Sequence, residues 1–280
     1  MIALVPRSLD QALALKAEHP DAVPLAGGTD LVAGWSGGAP RPETLLVLSG
    51  VKGLLPIELS QGKLRVGAGA SHAALAADAG VRERFPALAR AAASVGAPAV
   101  RNMGTVGGNL VTASPAADLP PALLAYGAEA VAASSARGGR RVPLDKFFVD
   151  YRNVALVPDE LLVRVELPVP APNARCWFEK VGTRKAQACS KVSIAVYVEI
   201  GSGNRLDTVR IAAGSVAPVP KRLPETEQAL TGQTLTPELA AEAGEAASRE
   251  VVPIDDVRST AEYRKHVVGG LVERFLKSLL

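Results

Sequence analysis

Arg101-Asn102-Met103-Gly104-Thr105-Val106-Gly107-Gly108-Asn109-Leu110 is the stretch on which the reading of this chain turns. It sets two adjacent glycines between a threonine and an asparagine. A smaller version stands far upstream, at Leu25-Ala26-Gly27-Gly28-Thr29-Asp30-Leu31. A glycine pair lets the backbone turn at positive φ and approach a ligand with no Cβ in the way. Consecutive N–H groups in such a turn form a concavity for anions. Two such loops, distant in sequence, predict one diphosphate held from two sides, as in a dinucleotide bound outside the Rossmann arrangement. Thr29 and Thr105 offer hydroxyls to phosphate oxygens, and Asn109 offers a donor and an acceptor. Downstream, Thr112-Ala113-Ser114-Pro115-Ala116-Ala117-Asp118 adds hydroxyls and one carboxylate. Asp118 can accept from ribose or ribityl hydroxyls and can also cap the helix that Pro120-Pro121 opens.

A third glycine-rich stretch, Val66-Gly67-Ala68-Gly69-Ala70-Ser71-His72, lies between a strand and a helix, as a Rossmann fingerprint would. His72 stands where the third glycine belongs, and no acidic ribose partner follows at the expected distance. It reads as a strand–turn–helix corner.

The 280 residues allow two or three modest domains with a full core. Hydrophobic residues at 48% and charged residues at 21% are those of a globular protein. Aromatics at 4% argue against a stacking surface for single-stranded nucleic acid. The densest basic stretch, Arg137-Gly138-Gly139-Arg140-Arg141, reads as a solvated hairpin tip. Two cysteines, Cys176 and Cys189, exclude a disulfide framework and any four-cysteine zinc or iron–sulfur site. His19, His72 and His266 show no metal-ligand spacing, and no metal site and no Ser-His-Asp arrangement are expected. Residues 1–7 predict no signal peptide, and no apolar run approaches the roughly 20 residues of a membrane span. A cytoplasmic protein is expected.

Ser8 reads as the cap of a helix over 9–19, followed by strands at 22–25 and 44–48. Segments 54–59 and 63–66 read as a hairpin about Ser60-Gln61-Gly62, with helices over 72–79 and 85–95. Gly96-Ala97-Pro98 stops the second of these. A short helix over 120–126 and a hairpin of 128–134 with 140–143 follow. Segment 161–167 alternates as a strand. Pro168, Pro170 and Pro172 then mark the best boundary. Beyond it lie strands at 175–180, 192–200 and 208–213, and helices over 224–230, 237–249 and 261–279. The divisions expected are 1–53, 54–170 and 171–280.

The combination and order of several motifs resemble one family. Ala26-Gly27-Gly28-Thr29-Asp30-Leu31, Thr105-Val106-Gly107-Gly108-Asn109-Leu110 and Ala113-Ser114-Pro115-Ala116-Ala117-Asp118 are similar to the flavin-binding medium subunit of the xanthine dehydrogenase and carbon monoxide dehydrogenase family, the molybdenum hydroxylases. Pro158-Asp159-Glu160-Leu161-Leu162 through Glu166-Leu167-Pro168, Phe178 through Ala188, and Glu262-Tyr263-Arg264-Lys265 extend the resemblance over essentially the whole chain. It implies an α+β chain: a two-subdomain FAD-binding fold of the vanillyl-alcohol-oxidase (PCMH) type, then a small C-terminal α+β domain of the CO dehydrogenase flavoprotein type.

By motif position, Leu25, Ala26, Gly27, Gly28, Thr29, Asp30 and Leu31 would cradle the FAD diphosphate with Thr105, Gly107, Gly108 and Asn109. Thr112 and Asp118 would meet sugar or ribityl hydroxyls. Leu162 and Lys180 would lie near the isoalloxazine, where a cation favours the anionic reduced flavin. Gly96 and Ala117 complete the implied cofactor set; no catalytic acid or base is implied.

The implied partners are a small subunit with [2Fe–2S] clusters and a large molybdopterin subunit, in a heterooligomeric oxidoreductase that passes electrons to NAD or another acceptor. Many members carry an acidic residue where this chain has Ala188. The absence of a cysteine-bearing insertion argues against the hydroxybenzoyl-CoA reductase branch. The alternatives are a stand-alone FAD oxidase, which would need a base in a substrate pocket, and a flavin-free scaffold, which the intact glycine pairs oppose.

Overall fold

The computed structural model describes residues 1–280 as three larger sheets and a two-stranded ribbon, with helices packed between and upon them. The first unit contains β1 (Ile2–Leu4), α1 (Leu9–Glu18), β2 (Val23–Leu25), α2 (Leu31–Ser36) and β3 (Thr44–Val47). Its sheet is parallel, in the order β1-β3-β2. Ser8 Oγ caps α1 by accepting from Gln11 N–H at 3.2 Å, as the sequence predicts. Lys16, buried at the end of α1, donates to the carbonyls of Pro20 and Ala22 at 2.6 and 2.8 Å. It thereby fixes the turn into β2.

The second unit begins with β4 (Ile57–Ser60) and β5 (Lys63–Gly67). A run of short helices follows: α3 (His72–Ala77), α4 (Ala79–Arg84), α5 (Pro86–Ser94), α6 (Pro98–Met103), α7 (Val106–Val111) and α8 (Leu119–Ala125). The chain returns through β6 (Glu129–Ser134), β7 (Gly138–Pro143), α9 (Leu144–Phe147), β8 (Phe148–Asp150), β9 (Asn153–Val154) and β10 (Leu161–Pro168). The five-stranded sheet is antiparallel, in the order β4-β5-β10-β6-β7. One face of β5 and β10, including Leu64, Val66, Val165 and Leu167, is buried under the helices. The other face carries Glu166, whose side chain is enclosed by Lys63, Arg65, Arg141 and Arg164. Burial alone would raise that carboxyl, but hydrogen bonds from Arg164 and Arg141 hold it down at about 2.

The third unit is β11 (Ala174–Gly182), β12 (Ser190–Ile200), β13 (Leu206–Gly214) and β14 (Lys221–Arg222), an antiparallel sheet in chain order. After it come α10 (Pro224–Leu230), α11 (Pro237–Glu250) and α12 (Ala261–Lys277). The alternation of β12 assigns its two faces. Val192, Ile194, Val196 and Val198 point into a core with α10–α12, while Ala195 and Tyr197 join the core that α8 and α5 share. The sheet is therefore covered on both sides, which is why β12 reads as an almost unbroken apolar run.

Several sequence expectations change here. The helix over 72–79 ends at Ala77, and Asp78 caps a new helix, α4, by accepting from Val81 N–H at 2.9 Å. Pro98 does not simply stop a helix; it opens α6. The strands β1, β8, β9 and β14 and the helices α2, α4, α6, α7 and α9 are too short for a periodic pattern to announce them. The Arg137–Arg141 stretch does form the tip of the β6–β7 hairpin, where Arg137 pairs with Asp159 and Arg140 with Glu160.

Candidate functional site

The two glycine segments meet. β2 ends at Leu25, and residues 26–30 cross to α2 in an open turn with Gly28 at φ 70°. The N–H groups of Ala26, Gly27, Gly28, Thr29 and Asp30 donate to no carbonyl of the chain. A run of unpaired backbone donors in a turn is an anion-binding concavity. Gly27 lies against the carbonyl of Met103, and any Cβ there would collide with that oxygen. Thr29 and Asp30 are exposed, Leu31 is half-buried, and Asp30 faces Arg152 at 3.6 Å.

The second segment is not a loop of the same kind. It is the junction of α6 and α7, and neither Gly107 nor Gly108 has a positive φ, contrary to the expectation for a glycine pair. Thr105 caps α7, its Oγ1 accepting from Gly108 N–H at 3.0 Å. Val106 and Gly107 N–H donate to Ala70 and Ala68 carbonyls at 2.9 and 2.7 Å. Its N–H groups are thus largely committed within the chain, and the two segments are unequal. Gly107 is needed for approach: a Cβ would come within 2.7 Å of Ala68 Cβ. Gly108 is exposed, and a Cβ there would meet only Thr105 Oγ1. The 66–72 corner, read as a Rossmann decoy, receives α7 through those alanine carbonyls.

His72 lies behind this junction. It is 3% exposed, and its ring would be 3.1 Å from a Cβ on Gly104. Burial, with the nearby Arg101 cation, pushes its pKa down to about 4, so the ring is neutral at neutral pH.

A third group surrounds Asp118. Its Oδ2 accepts from Lys180 Nζ at 2.6 Å and its Oδ1 from Ser190 Oγ at 2.6 Å. Burial raises the Asp118 carboxyl, and Lys180 and Ser190 oppose that rise. Asp118 occupies the N-cap position of α8, but its side chain makes no capping bond. The expected cap is replaced by the ion pair with β11. Lys180 also donates to the Ser94 carbonyl at 3.0 Å, at the C-terminus of α5, where a cation complements the helix dipole.

The turn after Ser94 contains Gly96 at φ 44°, two residues past the carbonyl that Lys180 bonds. Thr112 ends α7, Ala117 is buried beside Asp118, and Leu162 is buried next to the β-bulge whose Val163 carbonyl accepts from Ala68 N–H at 3.0 Å. Ser94, Ser190 and Arg101 lie at the site unannounced, since nothing local in the sequence ties them to Asp118 or His72.

These residues suit FAD on grounds internal to the chain. The donors of residues 26–30 match a diphosphate. Asn109 Oδ1 is buried with no partner, an acceptor open to a ligand donor. Asp118 keeps lone pairs beyond its two hydrogen bonds.

The relatives agree. Residues 2–170 match the family described as the FAD binding domain in molybdopterin dehydrogenase, and residues 177–279 match the CO dehydrogenase flavoprotein C-terminal domain. The chain is 33% identical over 280 residues to the 6-hydroxypseudooxynicotine dehydrogenase complex subunit alpha of Paenarthrobacter nicotinovorans, covering 99% of this chain and 93% of that one. It is 31% identical to the carbon monoxide dehydrogenase medium chain of Hydrogenophaga pseudoflava over 98% of this chain and 94% of that one. The solved carbon monoxide dehydrogenase from that organism superimposes with a TM-score of 0.93 at 30% identity, covering 98% and 95% of the two chains. Quinoline 2-oxidoreductase from Pseudomonas putida 86 gives 0.90 at 30% identity, covering 99% and 96%. The fold and these matches define a flavoprotein component of an oxidoreductase. The chain belongs to the FAD-binding subunits of the molybdopterin dehydrogenases, the molybdenum hydroxylase family.

Proposed function

We propose that this chain is the electron-transfer flavoprotein of a three-subunit, cytoplasmic molybdenum hydroxylase. It takes electrons from [2Fe–2S] clusters on a small subunit and passes them to NAD or another acceptor. A large molybdopterin subunit oxidises the organic substrate. The relatives' names support this division: they differ in substrate, from 6-hydroxypseudooxynicotine to caffeine to carbon monoxide, at nearly constant identity to this chain. Substrate choice then belongs to a different subunit. The chain divides functionally into 1–53, 54–170 and 171–280, with the cofactor between the first two and capped by the third.

The observation that carries the reading is the row of N–H groups from Ala26 to Asp30 that donate to no carbonyl of the chain, in a turn that Gly27 seats against the Met103 carbonyl. In this reading those donors hold the diphosphate, with Leu25 and Leu31 bounding the turn. The Thr105 hydroxyl and the Asn109 side-chain N–H donate to it from the other side, where Gly108 leaves room and Gly107 seats α7 against Ala68. Thr112 and Asp118 orient the sugar and ribityl hydroxyls beside Gly96 and Ala117, and Leu162 and Lys180 flank the isoalloxazine. Bound FAD supplies the redox chemistry, and the protein supplies geometry and electrostatics. Lys180, fixed by Asp118 and Ser94, keeps a positive charge at one defined place. No general acid or base is required of the chain.

The test is flavin content. The full chain, incubated with FAD, desalted and denatured, is expected to release stoichiometric FAD in preference to FMN. The complex co-purified with its neighbours is expected to carry iron and molybdenum as well. Absence of flavin from both preparations would refute the assignment.

A further inference from the structure

Ser215 follows the last residue of β13 in a backbone conformation that serine rarely takes, with φ 64°. A side-chain-bearing residue in this region costs about 1–2 kcal/mol and persists only where its surroundings over-determine it. Here the surroundings are three hydrogen bonds. The Ser215 N–H donates to the Pro115 carbonyl at 2.8 Å. Its Oγ donates to the Ser190 carbonyl at 3.1 Å. Its own carbonyl accepts from Arg264 Nη1 at 2.7 Å. Pro115 lies in the segment that leads to Asp118, and Ser190 is the residue whose hydroxyl donates to Asp118 Oδ1. Gly214 permits the approach, since a Cβ there would lie 2.5 Å from Ser193 Oγ and 3.4 Å from the Pro115 carbonyl.

Arg264 is the far anchor. It is 2% exposed, an expensive place for a guanidinium unless it is paired. Its Nη2 donates to Asp256 Oδ1 at 2.6 Å, and Arg258 holds the other oxygen of that carboxylate. The cation on α12 is thus neutralised on one side and spends its other arm on the strained carbonyl of Ser215.

We infer that Arg264 and Ser190 are positioning residues for the flavin site. Arg264 locks Ser215, Ser215 places Ser190 and Pro115, and Ser190 orients the Asp118 carboxylate that holds Lys180. The inference rests on the proposed reading that Asp118 and Lys180 face FAD. A hydrogen bond added to one side of a buried carboxylate fixes both its direction and its charge distribution. Loss of that bond changes the field that Asp118 and Lys180 present, even where the fold survives.

The experiment measures the two-electron midpoint potential and the visible absorption of bound FAD in the full chain, or in the complex if FAD is retained only there. Four variants are compared with the parent: Asp118→Asn, Ser190→Ala, Arg264→Met and Arg264→Lys. Ser190→Ala and Arg264→Met are expected to keep FAD yet shift its reduction equilibrium at least tenfold, about 30 mV for a two-electron couple. Both should move in the direction set by Asp118→Asn. Arg264→Lys, which retains a cationic donor, is expected to recover part of the shift. Should Arg264→Met fail to fold, Ser190→Ala decides, because it removes one hydroxyl and little volume. An Asp118→Asn protein with unchanged potential and spectrum would refute the placement of Asp118 at the flavin, and the relay with it. A shift in Asp118→Asn with none in Ser190→Ala would overturn the relay alone.

Discussion

At the scale of residues, neighbouring glycines are present for different reasons, and they should fail differently. Gly107 is buried with its N–H on the Ala68 carbonyl and no room for a Cβ. Gly107→Ala should destabilise by about 1–3 kcal/mol, the usual cost of overpacking, and should lower the thermal midpoint with or without flavin. Gly108 is exposed, and in the proposed reading it borders the diphosphate. Gly108→Val should lose retained FAD at least tenfold with little change in the flavin-free melting temperature. Equal melting losses in the two variants would refute the distinction. His72 supplies a pH dependence. Its folded pKa of about 4 lies below the ordinary 6.5, so the unfolded chain binds the proton first as pH falls. Stability is therefore complete above pH 6.5 and declines as the pH falls through that value toward about 4, by about 3 kcal/mol in total. His72→Gln should flatten this part of the curve, as read by denaturant midpoints from pH 7.5 to 4.5.

Elements were legible in proportion to their length. The alternation of β10 and the apolar run of β12 declare themselves, and Ser8 caps α1 as read; Thr260, not singled out in the sequence, caps α12 in the same way. The helices α3 and α5 are readable at 72–79 and 85–95, but α4, α6 and α7 do not declare themselves, because six residues make fewer than two turns and their packing decides them. The site shows the same division. Glycine and hydroxyl motifs name the residues, but the contact of Gly27 with Met103 and the bonds from Lys180 and Ser190 to Asp118 join distant segments. No local pattern encodes them. The crossing of α11 and α12 is another case. Gly244 and Gly269 face one another so closely that a Cβ on either would come within 2.7–2.8 Å of the other's carbonyl. Gly269→Val should push the helices apart, cost at least about 2 kcal/mol, and weaken protection of α12 amides in hydrogen exchange. Unchanged α12 protection would show that the crossing tolerates separation.

For the whole molecule, the decisive fact is that the C-terminal sheet belongs to two cores. Phe178, Ala195, Tyr197 and Ala212 are part of the same buried cluster as Ala12, Leu46 and the α8 leucines, while the opposite face packs on α10–α12. The Asp118–Lys180 ion pair, the Ser190–Asp118 bond and the bond from Ser215 N–H to the Pro115 carbonyl also join that sheet to the rest of the chain. Chains longer than about 150 residues commonly unfold domain by domain. Here, exposing the shared face of β12 would strand apolar surface on both sides, so the flavin-free chain should melt in one calorimetric transition with matching calorimetric and van't Hoff enthalpies. FAD at a hundred times its dissociation constant adds about 2.7 kcal/mol. At about 2–4 °C per kcal/mol for a chain near this size, the whole transition should move upward by roughly 5–10 °C. Two resolved transitions, with FAD shifting only the earlier one, would mean that residues 171–280 fold apart from the cofactor site and that Lys180 contributes nothing to holding it.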